Sequence, residues 1–352
     1  MPDGQTPAGS LAVLAADLHA AADISPGVVI RLESPGTGAM AAAVGSEARD
    51  GGIPLRASSR FQVASIAKPV TAATCMRLVE QGAVTLDAPV LPWLSAELSA
   101  ELLGSGFSPD ISLRDLLGHR AGFRDFGEEP SLLNDMMRDP ARSWQPEELV
   151  LRILPSGPVA ARGTDYHYSD AGYTVAAMVV EAASQQPLAQ AYRELLRWDE
   201  LGLSSTYLAG RESGPAPAHA YYDDLDLQSV DPSTDNFGAG GLVSDCDDLA
   251  RFIRALLSER VIGAAALREM TRGVEVPGRG LACLGIQRTQ HGAHAAWGHY
   301  GFTGAFMFHS PELDATVTGC VLANSPRWGA DHPMRRAVAG ALAIAGAVAV
   351  RG

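Results

Sequence analysis

The sequence predicts a mixed α/β (α+β) fold in which an antiparallel sheet is made from both ends of the chain and flanked by helices. Strand patterns are concentrated in residues 27–45 and return only near the far end. Between Val70 and Leu257 the chain is mostly helical, with long loops. We therefore expect residues 1–75 and 258–352 to form one α/β sheet domain, with residues 76–257 as a helical insertion domain.

Each element follows from a local pattern. Apolar residues at helical spacing predict a helix over residues 10–25, and two apolar runs around a Pro-Gly turn predict strands over 27–33 and 38–45. A second helix is predicted over 64–81, where Gly82 supplies a C-terminal stop. The remaining predicted elements are a helix over 171–181, strands over 281–288, 304–309 and 315–323, and a helix over 337–350.

Composition limits the possible partners. The chain has 352 residues, 47% of them hydrophobic, which is enough for a sizeable core. The net charge of −13 provides no basic field for phosphate backbones, so nucleic acid is not an expected partner. The four cysteines are scattered without C-x-x-C spacing, which indicates buried thiols, neither a disulfide framework nor a zinc site. We expect no metal and no cofactor.

The ends of the sequence bear on its compartment. No positively charged region precedes an apolar stretch at the N-terminus, so no secretion signal is visible and the cytoplasm is the expected location. The most apolar tract, residues 337–350, is too short to cross a bilayer, and a membrane is not an expected partner.

Lys68 is the only lysine, since every other one of the 27 basic residues is arginine. Arginine stays protonated at physiological pH, whereas a desolvated or electrostatically crowded lysine can lose its proton and act as a base. Ser65 precedes Lys68 by three residues, so on a helix the two side chains share a face within hydrogen-bond reach. The pair is a candidate nucleophile and activator; the alternative is a serine near an N-cap beside a solvated lysine.

The position of Ser65 in the predicted helix is compatible with a nucleophile, although the motif alone leaves both alternatives open. In the first turn, backbone N–H groups lack intrahelical partners and the helix dipole is positive. Both effects stabilise a developing alkoxide, and the N–H groups can supply half of an oxyanion hole.

Two further segments carry chemically active side chains. Residues 166–170, Tyr-His-Tyr-Ser-Asp, lie on a loop entering a helix, and a tyrosine there can act as a base if a nearby cation lowers its pKa. The alternative is that these tyrosines pack the loop. Residues 297–304 form a glycine-punctuated aromatic strand, where a ligand or another backbone can approach closely. His299 in this strand is either catalytic or a packed core residue.

Taken in order, Ser65-Ile-Ala-Lys68, Tyr168-Ser-Asp170 and His299-Tyr-Gly301 resemble the S-x-x-K, Y-x-N and K-T-G or H-x-G motifs of the serine β-lactamase and penicillin-binding-protein superfamily. The similarity is to the branch with class C β-lactamases, D-alanyl-D-alanine carboxypeptidases and related esterases and transacylases. Two flanking blocks, residues 113–123 and 240–252, are also similar to blocks of that family. The resemblance runs from about residue 27 to about residue 324 and implies a β-lactamase-like fold.

The resemblance implies a mechanism. Ser65 attacks an ester or amide carbonyl, while Lys68 and Tyr168 take its proton and pass it to the leaving group. The backbone N–H groups of Ser65 and Phe302 hold the oxyanion. His299 orients the leaving group or a substrate carboxylate, where class C β-lactamases have lysine.

Two departures from the family pattern matter. Asp170 stands where the family has asparagine, which removes an amide donor and places a carboxylate near Lys68. Because an adjacent anion raises the pKa of a lysine, we expect Tyr168 to carry more of the base role. Asp170 can alternatively bind a substrate amine.

His299 in place of lysine argues against antibiotic resistance, so we expect penicillins to acylate Ser65 slowly and to be turned over poorly. The resemblance also implies that Gly301 lies on the side of the site that binds the oxyanion and the substrate.

Three functions are compatible with these residues. The first is a serine esterase or amidase that forms an acyl-enzyme on Ser65. The second is a biosynthetic transacylase that passes the acyl group to an amine or alcohol, as in antibiotic assembly. The third is a non-catalytic binder, which the intact Ser65, Lys68 and Tyr168 disfavour. The expected partner is a small-molecule ester or amide, with an amine acceptor in the second case; the oligomeric state is open.

Two other groups of residues are weaker candidates. His291 and His294 lie on a glycine-rich turn without a nearby carboxylate ligand, which disfavours a metal hydrolase. Aromatic residues of the helical insertion are candidates for pocket walls, namely Phe123, Phe126, Trp144, Tyr221, Tyr222 and Phe237.

Overall fold

The computed structural model of the chain describes residues 6–22, 25–324 and 331–350. The helices in these ranges are α1 (Pro7–Ala21), α2 (Ala67–Glu80), α3 (Ala96–Gly104), α4 (Leu113–Leu117), α5 (Pro130–Arg138), α6 (Pro146–Ile153), α7 (Asp170–Ser184), α8 (Leu188–Leu195), α9 (Trp198–Leu201), α10 (Cys246–Leu257), α11 (Ala264–Met270) and α12 (Pro333–Ala349). The strands are β1 (Gly27–Ser34), β2 (Gly38–Gly45), β3 (Phe61–Gln62), β4 (Tyr207–Leu208), β5 (Tyr221–Tyr222), β6 (Leu225–Asp226), β7 (Leu242–Ser244), β8 (Val274–Val276), β9 (Gly280–Ala282), β10 (Gln287–His291), β11 (His294–Tyr300), β12 (Ala305–Ser310), β13 (Ala315–Cys320) and β14 (Ala323–Asn324).

Eight of the strands form one antiparallel sheet in the order β2-β1-β13-β12-β11-β10-β9-β8. The two halves of the sheet come from opposite ends of the chain and join where β1 pairs with β13, with Val29 opposite Cys320. The mixed α/β architecture with an antiparallel sheet flanked by helices, expected from the sequence, is confirmed.

The sheet separates two apolar cores. Val28 and Ile30 of β1 pack on the side of α1 and α12, whereas Val29 between them packs on the side of the helical region. Successive residues of a strand point to opposite faces, so a strand buried on both faces has a continuous apolar run. This explains the uninterrupted apolar run over residues 28–30 of β1.

Helix α2 lies at the centre of the helical side. Eleven of its residues are buried, including Lys68, and it packs against α7 and α8. Two small sheets, β3-β7-β4 and β14-β5-β6, also lie outside the large sheet. Their strands are only two or three residues long, too short to produce a recognisable sequence pattern.

Two predicted elements differ in detail. The first turn of the predicted 64–81 helix is a 3₁₀ turn, Ala64–Ile66, and α2 proper begins at Ala67. The predicted strand over 281–288 is interrupted, because Gly285 has a φ of +74° and a Cβ there would lie 2.7 Å from the Lys68 carbonyl oxygen. The chain therefore bends onto α2 between β9 and β10.

The division into a sheet domain and a helical insertion stays a prediction, and its first boundary, at residue 75, falls within α2. The four cysteines are free and buried, as predicted. In the described ranges, each helix is too short or too polar to cross a membrane.

Candidate active site

The backbone before Ser65 is strained. Ala64 has a φ of +45°, in the left-handed region that a residue with a Cβ rarely adopts. Two hydrogen bonds fix the residues directly before it: the Val63 N–H donates to the Leu242 carbonyl at 2.9 Å, and the Thr303 hydroxyl donates to the Gln62 carbonyl at 2.6 Å. The side chain of Ser65 is thereby presented at the start of α2.

The three residues of the candidate triad meet at Ser65. The Lys68 Nζ donates to Ser65 Oγ at 2.9 Å, and the Tyr168 hydroxyl lies 2.8 Å from the same oxygen. The Lys68 ammonium also pairs with Asp170 Oδ1 at 2.6 Å and donates to the Ala239 carbonyl at 3.1 Å. The lysine side chain is 0% exposed, so the alternative of a solvated lysine is wrong.

Electrostatics keep both partners of Ser65 protonated at neutral pH. Burial by itself would lower the pKa of Lys68, but the Asp170 charge and hydrogen bond outweigh it and the pKa is raised. Burial raises the pKa of Tyr168, against the opposing effect of the Lys68 charge. The carboxylate that replaces the family's asparagine therefore lies against Lys68, as predicted, and stabilises its charged form.

Two more carboxyl groups surround this ion pair, and sequence reasoning missed both. Asp125 Oδ1 accepts the Asp170 backbone N–H at 2.8 Å. Burial, reinforced by the negative charge of Asp170, raises the pKa of Asp125 to about 7 and that of Asp235 to about 7. Three carboxyl groups thus share a site that contains one lysine.

Two further side chains fix the ring of Tyr168. The imidazole of His119 stacks on the ring with centroids 4.5 Å apart, and the Arg279 guanidinium carbon lies 4.7 Å from the ring centroid on a cation–π contact. His119 Nδ1 accepts the Ser169 backbone N–H at 3.1 Å. His119 belongs to the 113–123 block of the resemblance, whereas nothing in the sequence singled out Arg279.

His299 is a neutral imidazole in the wall of the site. Its Nδ1 lies 2.6 Å from the Tyr300 carbonyl oxygen, which can only accept, so Nδ1 carries the proton and Nε2 presents a lone pair. Burial and the Lys68 charge lower the pKa of His299 to about 3. A neutral His299 cannot supply the positive charge of the lysine found in class C β-lactamases.

Gly301 lets the turn after β11 approach the nucleophile. A Cβ at this position would lie 2.1 Å from the Val63 carbonyl oxygen, so any other residue would push the two segments apart. The next residue, Phe302, has a backbone N–H without an acceptor in the described parts of the chain. This N–H can serve as a donor to an oxyanion, as the resemblance implies.

We expect Gly301→Ala to lower kcat/KM for an ester substrate about 100-fold, because it displaces the Phe302 N–H from the Ser65 side of the site. Unfolding free energy should fall by about 1–3 kcal/mol. Initial-rate assays measure kcat/KM, and chemical denaturation measures the free energy of unfolding. Gly104→Ala, at an exposed glycine at the end of α3 whose Cβ would meet no atom within 4 Å, is the matched control. Wild-type activity in Gly301→Ala would contradict the expectation.

Two cavities meet at Ser65. The first, here called the α5 cavity, has a volume of about 290 Å³ and reaches Leu133 and Met136 of α5. The second, here called the hairpin cavity, has a volume of about 440 Å³ and reaches Arg279 in the β8–β9 turn. Ser65, Asp170 and Phe302 line both cavities, and Phe302 is 48% exposed at their junction.

The aromatic residues predicted for the pocket walls divide into two groups. Phe126 lines the α5 cavity, and Tyr222 lies against Phe302 with ring centroids 4.9 Å apart. Phe123, Trp144 and Phe237 are instead buried in the core of the helical side, where they pack the scaffold. Tyr221 is also buried, and its ring lies against Arg49, whose guanidinium carbon is 4.0 Å from the ring centroid.

Known proteins similar to the chain include esterases and amidases. Esterase EstB of Burkholderia gladioli is 34% identical over 154 residues, which cover 42% of this chain and 38% of EstB. The chain thus spans well under two thirds of this curated relative. A D-stereospecific amidohydrolase from Streptomyces sp. is 27% identical, with a TM-score of 0.77 over 91% of this chain and 95% of that one. The D-amino acid amidase from Ochrobactrum anthropi SV3 is 22% identical, with a TM-score of 0.82 over 98% and 99%, and it shares the fold.

A family-wide comparison also covers most of the sequence. The sequence model of the Beta-lactamase family matches residues 15–343, a span that includes the strands from both ends of the chain and all three motifs. The match agrees with the antiparallel sheet and with the convergence of Ser65, Lys68 and Tyr168. The chain belongs to the Beta-lactamase family.

Proposed function

We propose that the protein is a serine hydrolase of amides and esters that forms an acyl-enzyme on Ser65. One observation carries the proposal: Ser65 Oγ lies 2.9 Å from the Lys68 ammonium and 2.8 Å from the Tyr168 hydroxyl, at the junction of two cavities. A nucleophile, a proton-transfer pair and space for substrate on both sides are the requirements for acyl transfer.

The proposed reaction has two halves. The reactive form is the one in which Tyr168 is a phenolate. Ser65 Oγ attacks the carbonyl carbon, its proton passes to the phenolate oxygen of Tyr168, and the Ser65 and Phe302 N–H groups hold the tetrahedral oxyanion. The bond to the leaving group then breaks, and Tyr168 returns the proton to the departing nitrogen or oxygen. Water repeats the sequence on the acyl-enzyme, giving a carboxylic acid and free Ser65. Lys68 remains cationic beside Asp170 and stabilises the negative charge on Tyr168 and Ser65.

The similarities support both substrate types. EstB is an esterase, and the Streptomyces enzyme, with more than a quarter of its residues identical over nearly the whole chain, is an amidohydrolase. Amides and esters differ mainly in the leaving group, and Tyr168 is placed to protonate either one.

An acyltransferase is the second candidate, and the hairpin cavity favours it. Its volume of about 440 Å³ gives an amine or alcohol acceptor room beside Ser65. The same residues would then activate the acceptor in place of water. Whether the acyl-enzyme is hydrolysed or passes its acyl group to the acceptor depends on which of the two occupies the cavity when the acyl-enzyme forms.

The test is intact-protein mass spectrometry of wild type and Ser65→Ala after exposure to p-nitrophenyl esters, with products followed in the presence and absence of amines. A Ser65-dependent adduct that water clears supports the hydrolase, and an adduct that amines intercept preferentially supports the transferase. Ser258→Ala, at an exposed serine, is the matched control. Adducts of equal yield in wild type and Ser65→Ala would overturn both.

The rate of acylation should rise with pH. Proton removal from Ser65 requires an unprotonated Tyr168 or Lys68, and the pKa of each is raised, so the reactive form is a minority below about pH 10. We expect kcat/KM to increase about tenfold per pH unit between about pH 6 and 9. A pH-independent plateau through that range, measured with a substrate that does not titrate, would contradict this assignment.

A further inference from the structure

The position of Tyr168 assigns the two cavities to the two parts of a substrate. This inference rests on the proposed function. Tyr168 lines the hairpin cavity, whereas the α5 cavity lies on the other side of Ser65. The group that departs must receive a proton as its bond breaks, so it lies beside Tyr168. The leaving group therefore occupies the hairpin cavity, and the acyl group occupies the α5 cavity.

The α5 cavity combines apolar walls with acidic groups. Its apolar wall is formed by Phe126, Leu133, Met136, Leu227 and Val230. Its carboxyl groups are Asp170, Asp231 and Asp235. Leu133 is exposed to solvent although it is a large apolar side chain, which a bound apolar group would explain. The wall is therefore suited to a hydrocarbon side chain on the acyl group.

The three carboxyl groups of the cavity differ in their partners. Asp170 is neutralised by Lys68 at 2.6 Å, and Asp231 accepts the Ser233 backbone N–H at 2.9 Å as the cap of a 3₁₀ turn. Asp235 also accepts a backbone hydrogen bond, from Gly241, and among the described residues no cationic side chain lies within 4.0 Å of either Asp231 or Asp235. Of these two, Asp235 is the one whose carboxyl group interacts electrostatically with the Asp170–Lys68 pair next to Ser65. The negative charge of the Asp235 carboxylate is therefore available to pair with a cationic group of a ligand.

We propose that the α5 cavity binds an acyl group that is apolar and carries an amino group, whose ammonium pairs with Asp235. The substrate class is thus amides or esters of hydrophobic amino acids with a free amine. The cation of the substrate keeps the Asp235 carboxyl ionised in the complex, although burial and the charge of Asp170 raise its pKa to about 7 in the free protein. Neutral acyl groups of the same size lack this interaction.

The test compares substrates that differ only in the amine. Phenylalanine p-nitroanilide, as both enantiomers, is compared with 3-phenylpropionyl p-nitroanilide for wild type, Asp235→Asn and Asp224→Asn. Asp224 is a fully exposed aspartate, so its replacement removes the same charge outside the cavity. We expect the better phenylalanine enantiomer to exceed the neutral anilide in kcat/KM by about tenfold or more. The ratio of kcat/KM for the phenylalanine anilide to kcat/KM for the neutral anilide should fall to about one in Asp235→Asn and stay unchanged in Asp224→Asn.

The other outcomes separate this inference from the proposed function. Equal kcat/KM for the amino and neutral anilides in wild type, or an unchanged ratio in Asp235→Asn, would overturn the amine assignment. Ser65-dependent hydrolysis of p-nitrophenyl butyrate without hydrolysis of either anilide would also overturn it, while leaving the serine hydrolase intact. Absence of any Ser65-dependent adduct would overturn the proposed function itself. Thermal unfolding of Asp235→Asn confirms that the variant is folded before the ratio is interpreted.

Discussion

Replacing Lys68 by arginine is expected to lower kcat/KM about ten-thousandfold. The ammonium is fully buried and meets Ser65, Asp170 and the Ala239 carbonyl at once. A guanidinium is larger and directs its donors in a fixed planar fork, so it cannot meet these three partners in the space that the ammonium fills. Keeping the charge is therefore not enough, which would explain why this one position kept lysine in a chain whose other basic residues are arginine.

The measurement is the rate of p-nitrophenol release together with the yield of acyl-enzyme by mass spectrometry. Arg77→Lys, the reverse exchange at a partly exposed position of the same helix, is the matched control and should leave both unchanged. Circular dichroism establishes that Lys68→Arg retains its secondary structure. A folded Lys68→Arg protein with a tenth of wild-type activity would show that position 68 requires only a charge.

Replacing Tyr168 by phenylalanine is expected to slow acylation of Ser65 about a thousandfold. The change removes one oxygen, 2.8 Å from Ser65 Oγ, and leaves the ring free to stay in its contacts with His119 and Arg279. The decrease in the acylation rate then measures the contribution of Tyr168 to proton transfer, because the shape of the site is retained.

Tyr166→Phe is the matched control, since Tyr166 is on the same loop and its ring also contacts His119, with centroids 5.5 Å apart. Burst kinetics separate acylation from deacylation, and both should fall in Tyr168→Phe because each half of the reaction needs the same proton carrier. Acylation at close to the wild-type rate in Tyr168→Phe would move the base role to Lys68.

Local patterns predicted the mixed α/β architecture, and the family resemblance implied that the three motifs converge. The residues of α2 and α7 carry helical periodicity, and Lys68 stands out by its uniqueness in the chain. The Asp170–Lys68 ion pair also followed from one substitution in a motif, because the position next to the triad was already fixed by the resemblance.

Other features of the site depend on tertiary structure. Asp125 and Asp235 approach Asp170 from separate loops, and no local spacing relates the three. The charge state of His299 follows from its burial and from a bond to a carbonyl, neither of which the His-Tyr-Gly motif encodes. The strain at Ala64 depends on hydrogen bonds from β7 and from the turn after β11, which are distant in sequence.

The pairing of β1 with β13 also determines when the candidate active site can assemble during synthesis. β1 and β2 leave the ribosome before Ser65, but β13, which pairs with the other edge of β1, is translated only after the whole helical region. Until β11–β13 emerge, the nucleophile lacks the Phe302 N–H and the Thr303 bond that holds its backbone. A nascent chain therefore carries Ser65 and Lys68 in an unassembled state, and we expect the ability to acylate to appear abruptly once the last strands of the sheet are in place.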